Sequence, residues 1–129
     1  MIQLNVSGTA LGIDVGSTTA KVVLVRNGTV VYDCYERHYS QVRQKIVEIL
    51  KRMEAKFGDD EIHVAVSGSA GLGLAESSGL PFVQEVFATG EIVRRIEPET
   101  DVVVELGGED AKIIFFRGGT DERMNGSCA

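Results

Sequence analysis

The run Leu-Gly-Ile-Asp-Val-Gly-Ser-Thr-Thr-Ala-Lys, from Leu11 to Lys21, sets an acid, a glycine and three successive hydroxyls between two apolar runs. Asp14 ends the first run. Gly16, Ser17, Thr18 and Thr19 then make a turn whose amides and hydroxyls can point into one small space. That inventory suits a phosphate, because donors are plentiful and Gly16 lets the backbone come close. Asp14 can hold a hydrated Mg²⁺ against the same phosphate. The competing reading is a plain β-hairpin with a polar turn, which rarely needs three consecutive hydroxyls. The segment is neither a P-loop, since Gly-Lys-Ser/Thr is absent, nor a Gly-x-Gly-x-x-Gly fingerprint. Lys21 either touches the phosphate or points outward from its strand.

A second chemical turn is Glu105-Leu106-Gly107-Gly108-Glu109-Asp110. Its carboxylates can orient a water or hold metal-bound waters, or they can simply cap the turn. A third, Ser67-Gly68-Ser69-Ala70-Gly71, offers Ser69 and Gly71 to a site or merely leads into a helix. His38 and His63 lack partners at metal-ligand spacing and read as ordinary strand-end residues. Cys34, inside the strand run Val30–Glu36, reads as a small, buried or half-buried side chain. Cys128 is either a metal ligand or a free thiol.

The elements that must position these residues follow from periodicity. Ala10–Asp14, Ala20–Arg26 and Thr29–Arg37 read as three antiparallel strands, the last two joined by Asn27-Gly28, a strong hairpin signal. Ser40 is a plausible N-cap. Val42, Ile46, Ile49, Leu50, Met53 and Phe57 then share one helical face, and Gly58 stops the helix. Lys45, Glu48, Lys51 and Arg52 make its solvated side. Glu61–Val66 is a fourth strand, and Leu72–Ser77 a short helix closed by Gly79 and Pro81. Gln84–Ile96 is a third helix with Val86, Phe87, Val93 and Ile96 buried. Asp101–Leu106 is a strand whose three successive valines predict burial on both faces. Lys112–Arg117 is the last strand, and Gly118-Gly119 a turn. The order β-β-β-α-β-α-α-β-β predicts an α/β fold with a mixed sheet and helices on its faces. No internal repeat, linker or low-complexity segment is legible.

The chain has 129 residues, enough for one domain with a core. A net charge of −6 with no basic run argues against nucleic-acid binding and adhesion to anionic membranes. No apolar stretch reaches transmembrane length. Met1–Ala10 lacks the basic and apolar regions of a signal peptide, and two cysteines make no disulfide framework, so the cytoplasm is the expected compartment.

Taken together the motifs are more specific than any one turn. The run from Leu11 to Lys21 resembles the first phosphate loop of the actin, sugar-kinase and heat-shock-70 ATPase clan. Four further segments narrow the resemblance. They are Ser67-Gly-Ser-Ala-Gly-Leu-Gly-Leu-Ala-Glu76, Gln84-Glu-Val86, Val104-Glu-Leu-Gly-Gly-Glu-Asp-Ala-Lys112 and Met124-Asn-Gly-Ser-Cys-Ala129. With them the chain resembles the activator ATPases of 2-hydroxyacyl-CoA dehydratases and benzoyl-CoA reductases. The run Gly79–Glu85 looks most like large members described as CoA-substrate-specific enzyme activases.

The resemblance implies two ribonuclease-H-like domains with ATP and Mg²⁺ in the cleft between them, and a homodimer sharing one [4Fe–4S] cluster. ATP hydrolysis would drive a low-potential electron into a dehydratase or related reductase. By the same resemblance the phosphate residues are Asp14, Gly16, Ser17, Thr18 and Thr19. The second phosphate turn is Glu105 to Asp110, with Gly107 and Gly108 at its centre, and Cys128 is the first cluster ligand. Familiar members carry Asp and Gln where this chain has Glu105 and Glu109, so the water-orienting residue stays open among Glu105, Glu109 and Asp110. The second cluster cysteine and the second ATPase domain are not in these residues. The expectation is therefore a single N-terminal ATPase subdomain, the first half of an actin-like ATPase, inactive alone. Competing readings are a small-molecule kinase of the same clan and a non-catalytic nucleotide-binding or docking module. The turns at Asp14–Thr19 and Leu106–Asp110 are expected side by side at one edge of the sheet.

Overall fold

Apolar residues alternate along β1 (Thr9–Val15) and β2 (Thr19–Arg26), so that Leu11, Ile13 and Val15 share a buried face with Ala20, Val22 and Leu24. The computed structural model describes residues 7–58, 61–107, 110–117 and 121–128. Of the residues singled out above, Gly108, Glu109, Gly118, Gly119 and Ala129 lie outside the described residues, and so do the side chains of Asp110 and Cys128.

β1 and β2 pair antiparallel, and β2 pairs antiparallel with β3 (Thr29–Arg37). The hairpin turn is the expected one: Asn27 and Gly28 both have positive φ, 48° and 82°. The Asn27 side chain also accepts a hydrogen bond from the Gly8 amide at 2.9 Å, which ties down the start of β1. β4 (His63–Ser67) joins β1 in parallel, giving a mixed sheet of order β3-β2-β1-β4.

α1 (Val42–Phe57) makes the crossover from β3 to that parallel strand and supplies the core's second layer. Its Ile46, Ile49 and Met53 are buried, and Val42, Leu50 and Phe57 pack around them, as the spacing predicts. Each such side chain contributes about 1.5–3 kcal/mol of burial. Ser40 does not cap α1. Gln41 stands at the cap position without a side-chain bond, and Ser40 has φ of 63° in a left-handed turn with Tyr39. The reason is that the left-handed backbone denies Ser40 the extended conformation of an N-cap, and its amide is donated instead to the His38 ring. Gly58 ends the helix as expected, with φ of 81° and its amide on the Glu54 carbonyl.

α2 (Gly71–Ser78) closes at Gly79, whose φ of 67° lets the Leu80 amide turn back to the Ala75 carbonyl. The chain then runs beside β4. The Val66 amide bonds the Pro81 carbonyl at 2.9 Å and the Val83 amide bonds the Val66 carbonyl at 2.8 Å. This segment covers an otherwise open sheet edge.

The chain forms two compact units, residues 1–83 and 84–129. The second holds α3 (Glu85–Ile96), β5 (Val102–Leu106), β6 (Asp110–Arg117) and β7 (Asp121–Cys128), the strands forming an antiparallel sheet of order β5-β6-β7. β7 is missed by the sequence reading. Its residues include charges, Asn and Gly, and its strand state comes from pairing with β6, not from propensity.

Two burial expectations fail here. Val102 and Val104 are 45% and 59% exposed while Val103 is half-buried, so β5 is covered on one face only. On α3, Val86 and Val93 are half-buried around a buried Gly90, whereas Phe87 is 58% and Ile96 37% exposed. The glycine carries the close-packed face, and Phe87 lies off it.

The second unit also repeats the start of the first, contrary to the expectation of no repeat. Gly16, Ala20, Lys21 and Arg26 recur as Gly107, Ala111, Lys112 and Arg117. Asp14 faces Lys21 across β1 and β2, and Glu105 faces Lys112 across β5 and β6. Each unit contains a three-strand antiparallel meander, β1-β2-β3 in the first and β5-β6-β7 in the second. The similarity is weak in identity because strand interiors exchange Val, Leu, Ile and Phe freely; register makes it visible. Among the described residues no helix is long and apolar enough to cross a membrane.

Candidate functional site

The first turn sits where parallel strands β1 and β4 both end. Asp14 of β1 lies in register with Ser67 of β4, so the turn after each strand opens at the same edge. Within the turn the Gly16 amide donates to the Thr19 carbonyl at 2.8 Å, closing a two-residue loop of Ser17 and Thr18. Gly16 therefore contributes room, not a free donor. A Cβ built on it would stand 3.6 Å from the Thr19 carbonyl oxygen and 3.7 Å from both Thr19 Oγ1 and Lys21 Nζ. The space in front of Gly16 is edged by a hydroxyl and an ammonium, a donor set that fits a phosphate oxygen.

Lys21 does not point away from the turn. Its ammonium lies 3.1 Å from Asp14 Oδ2 and 5.6 Å from the centre of the Tyr35 ring. Asp14 and Lys21 are both partly open to solvent, so each can exchange its partner for a ligand. Asp14 Oδ1 approaches Gly68 of the turn after β4. A Cβ at Gly68 would fall on the Val15 carbonyl and 2.5 Å from that oxygen, and Gly68 has φ of 100°. Gly68 is the residue the sequence reading overlooked. The signal was its place between two serines directly after a strand. Ser69 is exposed, and Gly71, the first residue of α2, packs on Val66 and Phe82, which is a packing role.

The turn is strapped from behind by the end of β3. The His38 amide donates to the Thr18 carbonyl at 3.1 Å, and His38 Nε2 lies 2.9 Å from the Gly16 carbonyl oxygen.

The acidic turn belongs to the second unit. Gly107 is exposed, and Glu105 is half-buried on the face of β5 that also carries Val103. Across the strand pair, Lys112 makes an ion pair with Glu85, the first residue of α3. Two segments that carry the resemblance, Gln84-Glu-Val86 and the run ending at Lys112, are thus joined within one unit. Asp110 is in register with Cys128 at the ends of β6 and β7.

Cys34 donates to Glu36 Oε2 at 2.6 Å, and Arg52 pairs with the same carboxylate. Burial, then the bond to Glu36, pushes the Cys34 thiol up; the Cys34 and Arg52 hydrogen bonds hold Glu36 below its usual range. This is a brace between β3 and α1, with Lys45 3.6 Å from Glu36 as a further member, so the polar side of α1 is not purely solvated. Among the described residues no three His, Cys, Asp or Glu side chains come together as a metal site.

A mixed sheet with the order β3-β2-β1-β4, a phosphate-suited turn after its first strand and a related meander in the second unit define an actin-like ATPase fold of the ribonuclease-H type. Comparison with known proteins agrees. The sequence model of the BadF/BadG/BcrA/BcrD ATPase family matches residues 11–129. The chain belongs to that family. It is similar to the (R)-2-hydroxyglutaryl-CoA dehydratase activating ATPase of Acidaminococcus fermentans, 28% identical over 127 residues, covering 92% of this chain and 47% of that protein. A solved activator of the 2-hydroxyisocaproyl-CoA dehydratase from Clostridium difficile, with bound ADPNP, superposes with a TM-score of 0.71 at 25% identity, over 94% of this chain and 47% of that one. The ethanolamine utilization protein EutJ from Carboxydothermus hydrogenoformans gives a TM-score of 0.72 at 16% identity, over 99% of this chain and 55% of that one, a likeness of fold alone. The chain spans less than half the length of the curated relatives it matches.

Proposed function

We propose that these residues form the phosphate-binding first part of a longer ATP-hydrolysing activator that delivers a low-potential electron to a 2-hydroxyacyl-CoA dehydratase or related reductase. The observation that carries it is the space before Gly16, edged by Thr19 Oγ1 and Lys21 Nζ and flanked by Asp14, in a chain of this ATPase family.

In this reading Ser17, Thr18 and Thr19 hold the β- and γ-phosphates with hydroxyls and amides. Lys21 leaves Asp14 for a phosphate oxygen, which frees the carboxylate to hold a Mg²⁺-bound water. One of Glu105, Glu109 or Asp110 positions the attacking water or a metal-bound one, and Gly107 and Gly108 let the backbone approach. Cys128 supplies one thiolate to a [4Fe–4S] cluster shared across a homodimer of the full-length protein; four ligands are usual, so one such residue per chain is not a complete set. The cluster supplies the one-electron carrier. Residues 1–129 form a single N-terminal ATPase subdomain, and the cytoplasm is the compartment. A half cleft neither excludes water nor aligns the reacting groups, so residues 1–129 alone should not hydrolyse ATP.

The test is an anaerobic visible spectrum beside an ATPase assay on the full-length protein. Wild type should be brown and hydrolyse ATP. Cys128→Ser should lose iron and colour but keep nucleotide binding, and Asp14→Asn should do the reverse. Full iron content in Cys128→Ser would end the electron-transfer reading and favour a kinase of the same clan, which a phosphoryl-acceptor assay would then detect.

A further inference from the structure

His38 does more than end a strand. It is 4% exposed, the one buried polar side chain among the described residues. Its ring is held at both nitrogens by backbone groups of fixed polarity. Nδ1 takes the Ser40 amide hydrogen at 3.0 Å, and an amide can only donate. Nε2 lies 2.9 Å from the Gly16 carbonyl oxygen, which can only accept. The partners therefore dictate a neutral ring with its hydrogen on Nε2. The left-handed turn at Tyr39 and Ser40, with φ of 50° and 63°, is what brings the Ser40 amide onto Nδ1. The Gln41 amide closes that turn on the His38 carbonyl at 2.8 Å. The His38 backbone amide meanwhile binds the Thr18 carbonyl at 3.1 Å.

One residue thus engages the carbonyls of both Gly16 and Thr18. Carbonyls drawn back in this way cannot face an anion, and the amides and hydroxyls of the turn are left to do so. We propose that His38 is a positioning residue for the nucleotide phosphates: its Nε2–H holds the Gly16–Thr19 turn in its donor-presenting form before nucleotide arrives. This rests on the phosphate reading of the turn. The recognised group is the terminal phosphate of a nucleoside triphosphate, and His38 acts on it through the turn without touching it.

Three variants of the full-length protein test this. His38→Ala removes the ring. His38→Gln keeps a side-chain N–H at the reach of Nε2, and His38→Asn, one bond shorter, does not reach. The loss of one such bond predicts about a tenfold rise in KM for ATP in the Ala and Asn variants, with kcat within about twofold of wild type. His38→Gln should restore KM to within about threefold of wild type. A merely structural role would lower thermal stability and active-enzyme yield in all three alike, with no rescue of KM by Gln. Amide hydrogen exchange of residues 16–20 without nucleotide is the second readout. It should speed about tenfold in Ala and Asn and stay near wild type in Gln, while residues 22–24 of β2 remain unchanged. Unchanged KM in Ala, or failure of Gln to rescue, overturns the proposal. If wild type binds no ATP, the phosphate reading has failed, and the exchange data still decide: unchanged exchange at 16–20 shows that His38 does not hold the turn.

Discussion

Gly68 shows how much a single missing Cβ decides. Its φ of 100° is already unfavourable for an L side chain, and the space a methyl would need holds the Val15 carbonyl and Asp14 Oδ1. Gly68→Ala must move the turn after β4 away from β1, and Asp14 is the side chain displaced. The expected cost is about 2 kcal/mol or more in stability, read from the denaturant midpoint, with weaker Mg²⁺-dependent nucleotide binding in the full-length protein. A neutral Gly68→Ala would show that the two turns are not packed as described. The same scale separates the two histidines: His63 is an exposed strand residue, while His38 is fully engaged. Residue type and spacing could not distinguish them, because the difference lies in a left-handed turn that no proline or glycine announces.

At the scale of elements, α1 is what makes the first sheet a core. Ile49 is fully buried against the strands, between Ile46 and Met53 on the same stripe. Ile49→Ala leaves a cavity that the flanking β-branched strands fill poorly, so a loss of about 2–5 kcal/mol is expected, measured by chemical denaturation. A loss below about 1 kcal/mol would mean that the helix face is not packed as described. The helical period made this face legible in advance. The cap was not legible: Ser40 has the right residue type, but its amide is claimed by His38 and the helix starts from Gln41 without a side-chain cap.

At the scale of the whole molecule, the sheets of the two units differ in their covering. In the first, Leu11, Ile13 and Val15 are buried in one cluster with Ile46, Ile49 and Met53 of α1. Their counterparts by register in the second, Val102, Val104 and Leu106, are 45%, 59% and 80% exposed. The first unit shows what such a face needs, a helix following the third strand of the meander. Residues 1–129 on their own should therefore bind a hydrophobic dye such as anilinonaphthalene sulfonate strongly, and the full-length protein should bind much less per chain. Equal fluorescence from both would show that the face stays open in the longer protein, and the repeat would then carry no packing meaning.

The sequence by itself determined most of the local order. Alternation fixed β1, β2 and β3, the Asn27-Gly28 pair fixed their hairpin, and the stripe from Val42 to Phe57 fixed α1, because each depends on side chains close in the chain. It also marked the Asp14 to Lys21 turn by residue type alone. Tertiary structure decided the rest. β7 exists through pairing with β6, Gly68 through contact with β1, and the His38 clamp through the Gly16 and Thr18 carbonyls of a distant turn and the Ser40 amide that a left-handed turn brings back. The separation of β5, β6 and β7 from the first sheet was equally hidden, since valines in succession state that a strand is apolar but not which layer, if any, covers each face. Contacts between residues far apart in the chain carry that information, and no local pattern encodes it.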